Sequence, residues 1–371
     1  MKLALKLVAT LAFTALCVWL AFPRRADYAK LAAGLALLDW RYVWLWLPTA
    51  AAMQLFRAWR WDYLLRPLGA RIPFWRLLNV SSVGFMAILA LPVRLGEFVR
   101  PYLIAEKGTL SMSAALGSVA VERTVDGLLV SLYLFVSFLF LEGPHAGQAR
   151  AVAWGSFGLF GLATAYIAVG VRWPAATLRW TMRLTLLERL APRFAERVGH
   201  LVRGVLSGFR SLRDVKNFAV FLALSVLYWA ANGCGMWVLA RGFGLHLSLD
   251  ASFAVMSVVA AAITLPNTPG LVGQFHAAGK FTLMLYLTPA VVEGAGMAYI
   301  VTLHAVQGIW YIGLGLLGML LTQVPMLRVV RASKEAAAAA EAAAGREPQA
   351  SAVVAGREPQ ASAVVTRGLG S

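Results

Sequence analysis

The sequence predicts an all-α integral membrane protein of about eight membrane helical segments, two of them re-entrant or broken. Three observations carry that prediction. Of 371 residues, 60% are hydrophobic and only 14% charged, and the mean hydropathy is +0.70. Soluble domains sit nearer 45–50% apolar and about 25% charged. Several stretches reach the ~20 apolar residues that cross ~30 Å of hydrocarbon. Two further apolar runs are short and interrupted by proline and glycine, at "LPVRLGEFVRP" (91–101) and "LPNTPGLVGQFHAAGK" (265–280).

In chain order, residues 3–22 read as a retained helix, because no small-residue cleavage site precedes "FPRR". Residues 23–41 carry Arg24, Arg25, Lys30 and Arg41 and read as an interfacial amphipathic helix. A span at about 42–58 leads into "RAWRWDYLLRPLGARIPFWR", whose alternating Trp and Arg suit an interface. The run 77–91 stops at Pro92. A long helix is expected over 113–141, and 151–171 returns the chain across the membrane. Residues 172–216 place Leu184, Leu187, Leu190, Phe194, Val198, Leu201 and Val205 at helical intervals, so amphipathic helices on the inner leaflet are expected. Spans follow at about 217–240 and 296–322. The membrane domain is therefore drawn as 1–331. Residues 332–371, Ala-rich with "AGREPQASAVV" repeated, are read as a disordered low-complexity tail.

The formal charge is +17. In a soluble chain that would suggest nucleic acid; here its distribution orients the protein instead, and no nucleic-acid partner is expected. Residues 172–216 hold ten Lys/Arg against three acids, and 57–76 hold five against one, whereas 142–150 has only Glu142 and Arg150. The positive-inside rule puts those clusters and both termini in the cytoplasm, with 142–150 outside. Inner-membrane localisation follows as the expectation. Cys17 and Cys234 have no metal-ligand or disulfide spacing, and the five histidines are scattered, so neither a metal, a cofactor nor enzymatic activity is expected.

The interrupted runs form a pair. Both open Leu-Pro, and Leu95-Gly96-Glu97-Phe98 echoes Val272-Gly273-Gln274-Phe275. Paired Pro/Gly-broken segments in two halves point to a transporter site and to an inverted repeat. The breaks are assigned to Pro92, Gly96, Pro266, Pro269, Gly270 and Gly273. Beside the first, Arg94, Glu97 and Arg100 stand with Glu122, Arg123 and Asp126 of "VERTVDGLL", a set of balanced charge. Intramembrane charges mark pathways or sites. A ligand site and an ion-pair latch that touches no ligand both fit. Beside the second break, Asn267, Gln274, His276 and Lys280 are the candidates.

"GEFVRPYLIAEKG", "VERTVDGLL" and "PNTPGLVGQFH" resemble, in order and spacing, the membrane region of the lysylphosphatidylglycerol synthases, over about residues 5–325. The resemblance implies lipid translocation of flippase type. It carries the motif positions onto Arg94, Gly96, Glu97, Arg100, Glu122, Arg123 and Asp126, and onto Pro266, Pro269, Gly270 and Gly273. That family usually has a glutamate at the position of His276, a departure that puts a lysylated lipid in doubt. The leading reading is a flippase or scramblase for lipids with anionic headgroups, a phospholipid or a polyprenyl phosphate. A non-transporting partner of a lipid synthase or glycosyltransferase is the alternative, and a membrane-embedded lipid-modifying enzyme the second. A homodimer is left open.

Overall fold

The computed structural model describes residues 2–22, 25–90, 96–105, 110–142, 146–173, 176–177, 214–264 and 268–324. Among these residues it is all-α. The order is α1 (Lys2–Ala21), α2 (Arg25–Leu35), α3 (Trp40–Leu65), α4 (Phe74–Ala90), α5 (Val99–Ala105), α6 (Met112–Leu139) and α7 (Ala146–Arg172). There follow α8 (Val215–Arg241), α9 (Leu249–Ala262), α10 (Gln274–Leu283) and α11 (Pro289–Thr322). All but the ends of the expected amphipathic stretch 172–216, and the whole tail 332–371, lie outside the described residues.

Local chemistry sets the helix starts. Asp39, Ser111, Asp214 and Ser248 are N-caps whose side chains accept backbone N–H groups of the first turns of α3, α6, α8 and α9. Helix α11 contains a π turn at Val292–Gly296, and there Glu293 forms an ion pair with Lys30 of α2. That pair ties the basic segment 23–41 to the body of the protein.

α8 and α11 are each long and apolar enough to cross a membrane. At 26 and 28 residues, α3 and α6 would extend about 40 Å, but both carry ions. Arg57, Arg60, Glu122 and Asp126 are buried, while many large apolar side chains are exposed. Leu162 is 72% exposed and Leu320 76%, whereas Arg60 and Glu122 are both fully buried. Such an inverted arrangement suits hydrocarbon as the surrounding solvent.

Two stretches of the chain repeat one order: a long helix, a short one, a break, another short one, a long one. The first is α3–α4–α5–α6 and the second α8–α9–α10–α11. α3 lies along α8, α4 along α11, and α9 along α6. The first pair is antiparallel. The Asp39 N–H donates to Gly242 O at 2.9 Å at one end, and Arg60 reaches Ser225 at the other. α4 and α11 are antiparallel too, since Asn79 meets Gly318 and Met86 meets Gly315.

One expectation needs correcting here. The sequence placed the end of the second span near residue 58 and its arginines at the interface. α3 instead runs on to Leu65, which puts Arg57 and Arg60 inside the bundle.

Candidate functional site: a buried arginine–carboxylate network

α3 buries a stripe of Trp46, Ala50, Met53, Arg57, Arg60 and Leu64, spaced by alternating fours and threes. Two of those six are arginines in phase with the apolar residues. α6 turns Glu122 and Asp126, one helical turn apart, toward them. The Arg60 guanidinium donates to Glu122 at 2.9 Å and to both oxygens of Asp126 at 2.5 and 2.9 Å. From α5, Arg100 donates to both Glu122 oxygens at 3.1 and 3.0 Å, a bidentate fork. Arg123 reaches the same carboxylate at 2.8 Å. Trp229 of α8 completes Asp126 through its indole N–H at 2.9 Å. Four helices thus meet at two carboxylates.

Glycines make the room. A Cβ on Gly84 of α4 would lie 2.1 Å from Arg100 Cγ, so the arginine stem runs through the space a side chain would fill. A Cβ on Gly96 would stand 2.2 Å from the Ala87 backbone, which lets the chain after the first break pack directly on α4. Glu97 follows, half-buried, and interacts electrostatically with Arg123.

Arg57 differs from its neighbours. It is 1% exposed, and its partners are neutral: Gln54 Oε1 at 2.9 Å, the Tyr228 hydroxyl at 2.8 Å and the Tyr311 hydroxyl at 3.1 Å. Its guanidinium carbon lies 3.7 Å from the centre of the Phe85 ring. Among the described residues this region holds Arg57, Arg60, Arg100 and Arg123 against Glu97, Glu122 and Asp126. Four cations face three anions. The Nε–H of each of the four arginines is buried with no acceptor among the described residues. The balanced set expected from the sequence counts Arg94, which lies outside the described residues, and lacks Arg57 and Arg60, the two cations that α3 adds.

The second break is held by neutral groups. Pro269–Leu271 forms a tight turn packed on α4, with positive φ at Gly270, Leu271 and Gly273. Positive φ is uncommon for a leucine and marks strain. Gln274 spans the break, accepting the Thr268 N–H at 3.3 Å and donating to Ala262 O at 2.5 Å. The His276 Nδ1 accepts the Gly273 N–H at 3.2 Å, capping α10 from its third residue. His304 of α11 contacts Gly270 O at 2.8 Å through Nε2 and meets the His276 ring edge-on at 4.9 Å. Lys280 donates to Ala21 O at the end of α1, at 3.0 Å. A Cβ on Gly273 would collide with α1 at the Val18 N–H, 2.7 Å away.

Of the residues singled out by the sequence, Arg100, Glu122, Arg123 and Asp126 form one network with Glu97 beside it. Gln274, His276 and Lys280 gather at the second break. Pro92, Arg94, Pro266 and Asn267 lie outside the described residues. Arg57, Arg60, Tyr228, Trp229 and Tyr311 were missed. For Arg57 and Arg60 the signal was their phase within the α3 stripe; the aromatic residues had none.

These features define a helical membrane protein with a charged interior beside a broken helix. The chain belongs to the family described as the lysylphosphatidylglycerol synthase TM region, matched over residues 7–315. It is also 27% identical, over 319 residues, to the protein named Glycosyltransferase AglD of Haloferax volcanii. That match covers 78% of this chain and 51% of the relative, so the chain spans about half the length of the curated protein it resembles. No solved structure matches it.

Proposed function

We propose that this protein translocates lipids with anionic headgroups between leaflets, as a flippase or scramblase. The observation that carries the reading is the cationic excess of the interior. Four guanidinium groups, those of Arg57, Arg60 and Arg100 buried and that of Arg123 half-buried, each with an Nε–H that has no acceptor among the described residues, outnumber the carboxylates around them. Burying such charge in a bilayer is costly without a function that uses it, and an oxyanion would satisfy both the charge and the donors.

The architecture supports the same reading. Equivalent helices of the two stretches, α3 and α8, are antiparallel, and the other packing pairs exchange when the stretches are swapped. That is the pattern of an inverted repeat, in which sites lie at the repeat interface beside discontinuous helices. In each half the long helix after the break sends a polar side chain toward it: Glu122 to Arg100 of α5, just after the first break, and His304 to Gly270 in the second. We take the membrane to be the inner (cytoplasmic) membrane, with about eight membrane segments and with both termini and 172–216 cytoplasmic. Transport by this route requires no catalytic step.

Vesicles containing only this protein and a labelled phosphatidylglycerol test the proposal. Label in the inner leaflet should become accessible to a membrane-impermeant quencher; accessibility equal to that of protein-free vesicles refutes it. For the topology, cysteines replacing Gly147 and Ser207 in a background lacking Cys17 and Cys234 should label from opposite sides.

The match to half of a glycosyltransferase favours a second reading. On it the chain serves as the membrane partner of a separate lipid synthase or glycosyltransferase. Co-purification of such an enzyme, with no lipid movement in vesicles, would select it.

A further inference from the structure

We infer that Arg57, Tyr228 and Tyr311 form a binding subsite for a phosphate group within the membrane domain. Arg60, Arg100 and Arg123 each contact a carboxylate of α6. Arg57 does not; its hydrogen-bond partners are an amide and two phenols. It lies eight residues before the end of α3, about 12 Å along the helix axis. A guanidinium at that depth keeps its charge, and neutral partners solvate it without compensating it.

The donor inventory specifies the missing partner. Gln54, Tyr228 and Tyr311 take three of the five N–H groups, and the Nε–H has no acceptor. Each tyrosine oxygen accepts from Arg57, so its own O–H must point elsewhere. The Tyr311 hydroxyl finds only the Met53 sulfur at 3.9 Å, a weak acceptor, and no acceptor for the Tyr228 proton is present among the described residues. The cluster therefore combines one uncompensated positive charge with a guanidinium N–H and two phenolic O–H donors. A phosphate has the charge and enough oxygens to meet all of them. Among the described residues Arg57 has no carboxylate partner, and Glu122 and Asp126 are committed to the other arginines.

The surroundings give the direction of access. Gln54 and Tyr228 are buried, while Phe85 of α4 and Tyr311 of α11 are half-buried and stack at 6.3 Å. That stacked pair is the thin wall of the site, and it lies where α4 packs on α11. A phosphate entering there would pass between the two stretches related by the repeat. The inference rests on the lipid-transport reading only for the source of the phosphate. The site itself is independent of it.

The test is the thermal stability of the detergent-solubilised full-length protein. It is titrated with inorganic phosphate at constant ionic strength, with short-chain phosphatidylglycerol, and with diacylglycerol as the headless control. Saturable stabilisation by phosphatidylglycerol alone assigns the site to a lipid headgroup; stabilisation by inorganic phosphate as well assigns it to the phosphate group in either form. No response to both overturns the inference. Arg57→Gln should abolish the response. If that variant fails to fold, Tyr228→Phe/Tyr311→Phe keeps the cation and its aromatic packing. It should weaken apparent affinity at least about tenfold, the scale of one hydrogen bond to a charged group. An unchanged titration midpoint in the double variant overturns the site even if vesicle transport is intact. Binding with no transport would leave the site standing and remove the transport reading.

Discussion

Replacing Glu122 by glutamine tests whether the network is an energetic unit. The carboxylate is fully buried and contacts Arg60, Arg100 and Arg123 at 2.9, 3.0 and 2.8 Å. At about 3 Å, with an effective dielectric near 20, each pair is worth about 5 kcal/mol of attraction before desolvation. Desolvation of the ions takes back several kcal/mol each, so the pairs' net worth is small, but deleting one partner strands the others. Glu122→Gln keeps the shape, removes the charge and turns an amide N–H₂ toward an arginine. A loss of about 3–5 kcal/mol is expected. Titration of the folded fraction with SDS in mixed micelles measures it, with the exposed Glu142→Gln as a control that should stay within ~0.5 kcal/mol. Adding Arg100→Met to Glu122→Gln should recover part of the loss, giving a coupling of at least about 1 kcal/mol. A single variant as stable as the parent, or strictly additive effects, would refute the reasoning.

Gly96→Ala sets a Cβ 2.2 Å from the Ala87 backbone, which cannot swing aside. It should lower folded yield, by about 1–3 kcal/mol of overpacking on the same titration. His276→Glu preserves an acceptor at the third residue of α10, where glutamate makes a capping box; it should be close to neutral in stability, whereas His276→Ala should cost about 1 kcal/mol. A changed headgroup preference in His276→Glu vesicles would instead show that the ring meets substrate. At the start of α8, the Asn217 backbone N–H holds the Asp214 carboxyl below its usual range. This cap therefore stabilises above about pH 4, the unfolded value, and its contribution is lost as pH falls through the lower folded one; hydrogen exchange at Asn217 against pH reads it.

Much of the fold was legible because bilayer thickness dictates element length. The long helix 113–141 is found as Met112–Leu139, the span 217–240 as Val215–Arg241, and the two interruptions fall between short helices. The charged members Arg100, Glu122, Arg123 and Asp126 were legible since charge amid apolar sequence is conspicuous. Arg57 and Arg60 were not. Basic residues beside tryptophan near the end of a span have a ready alternative as interfacial anchors, and composition alone does not separate the two. Phase does. Met53, Arg57, Arg60 and Leu64 share a stripe, whereas Trp59 between them is 46% exposed. Tyr228 and Tyr311 carried no local signal, because their roles arise only when α8 and α11 pack against α3 and α4.

The two breaks have neighbours of opposite chemistry. Each interrupts a helix, so each must satisfy N–H and C=O groups without bulk water. At the second, the side chains bonded to the break itself are neutral: Gln274 bridges it, His276 caps it, and His304 takes up the Gly270 carbonyl, while Lys280 donates to Ala21 O of α1. A neutral solution is therefore accessible to this fold at an equivalent place. After the first break, α5 instead brings Arg100 to Glu122, which also holds Arg60 and Arg123. If holding the break were the only demand, the cheaper neutral arrangement would serve in both halves, since buried ion pairs contribute little net stability. The surplus positive charge at Arg57 adds to that contrast, because it contacts neither break through any hydrogen bond described. The charged half is thus better explained by what enters the protein than by what holds it together.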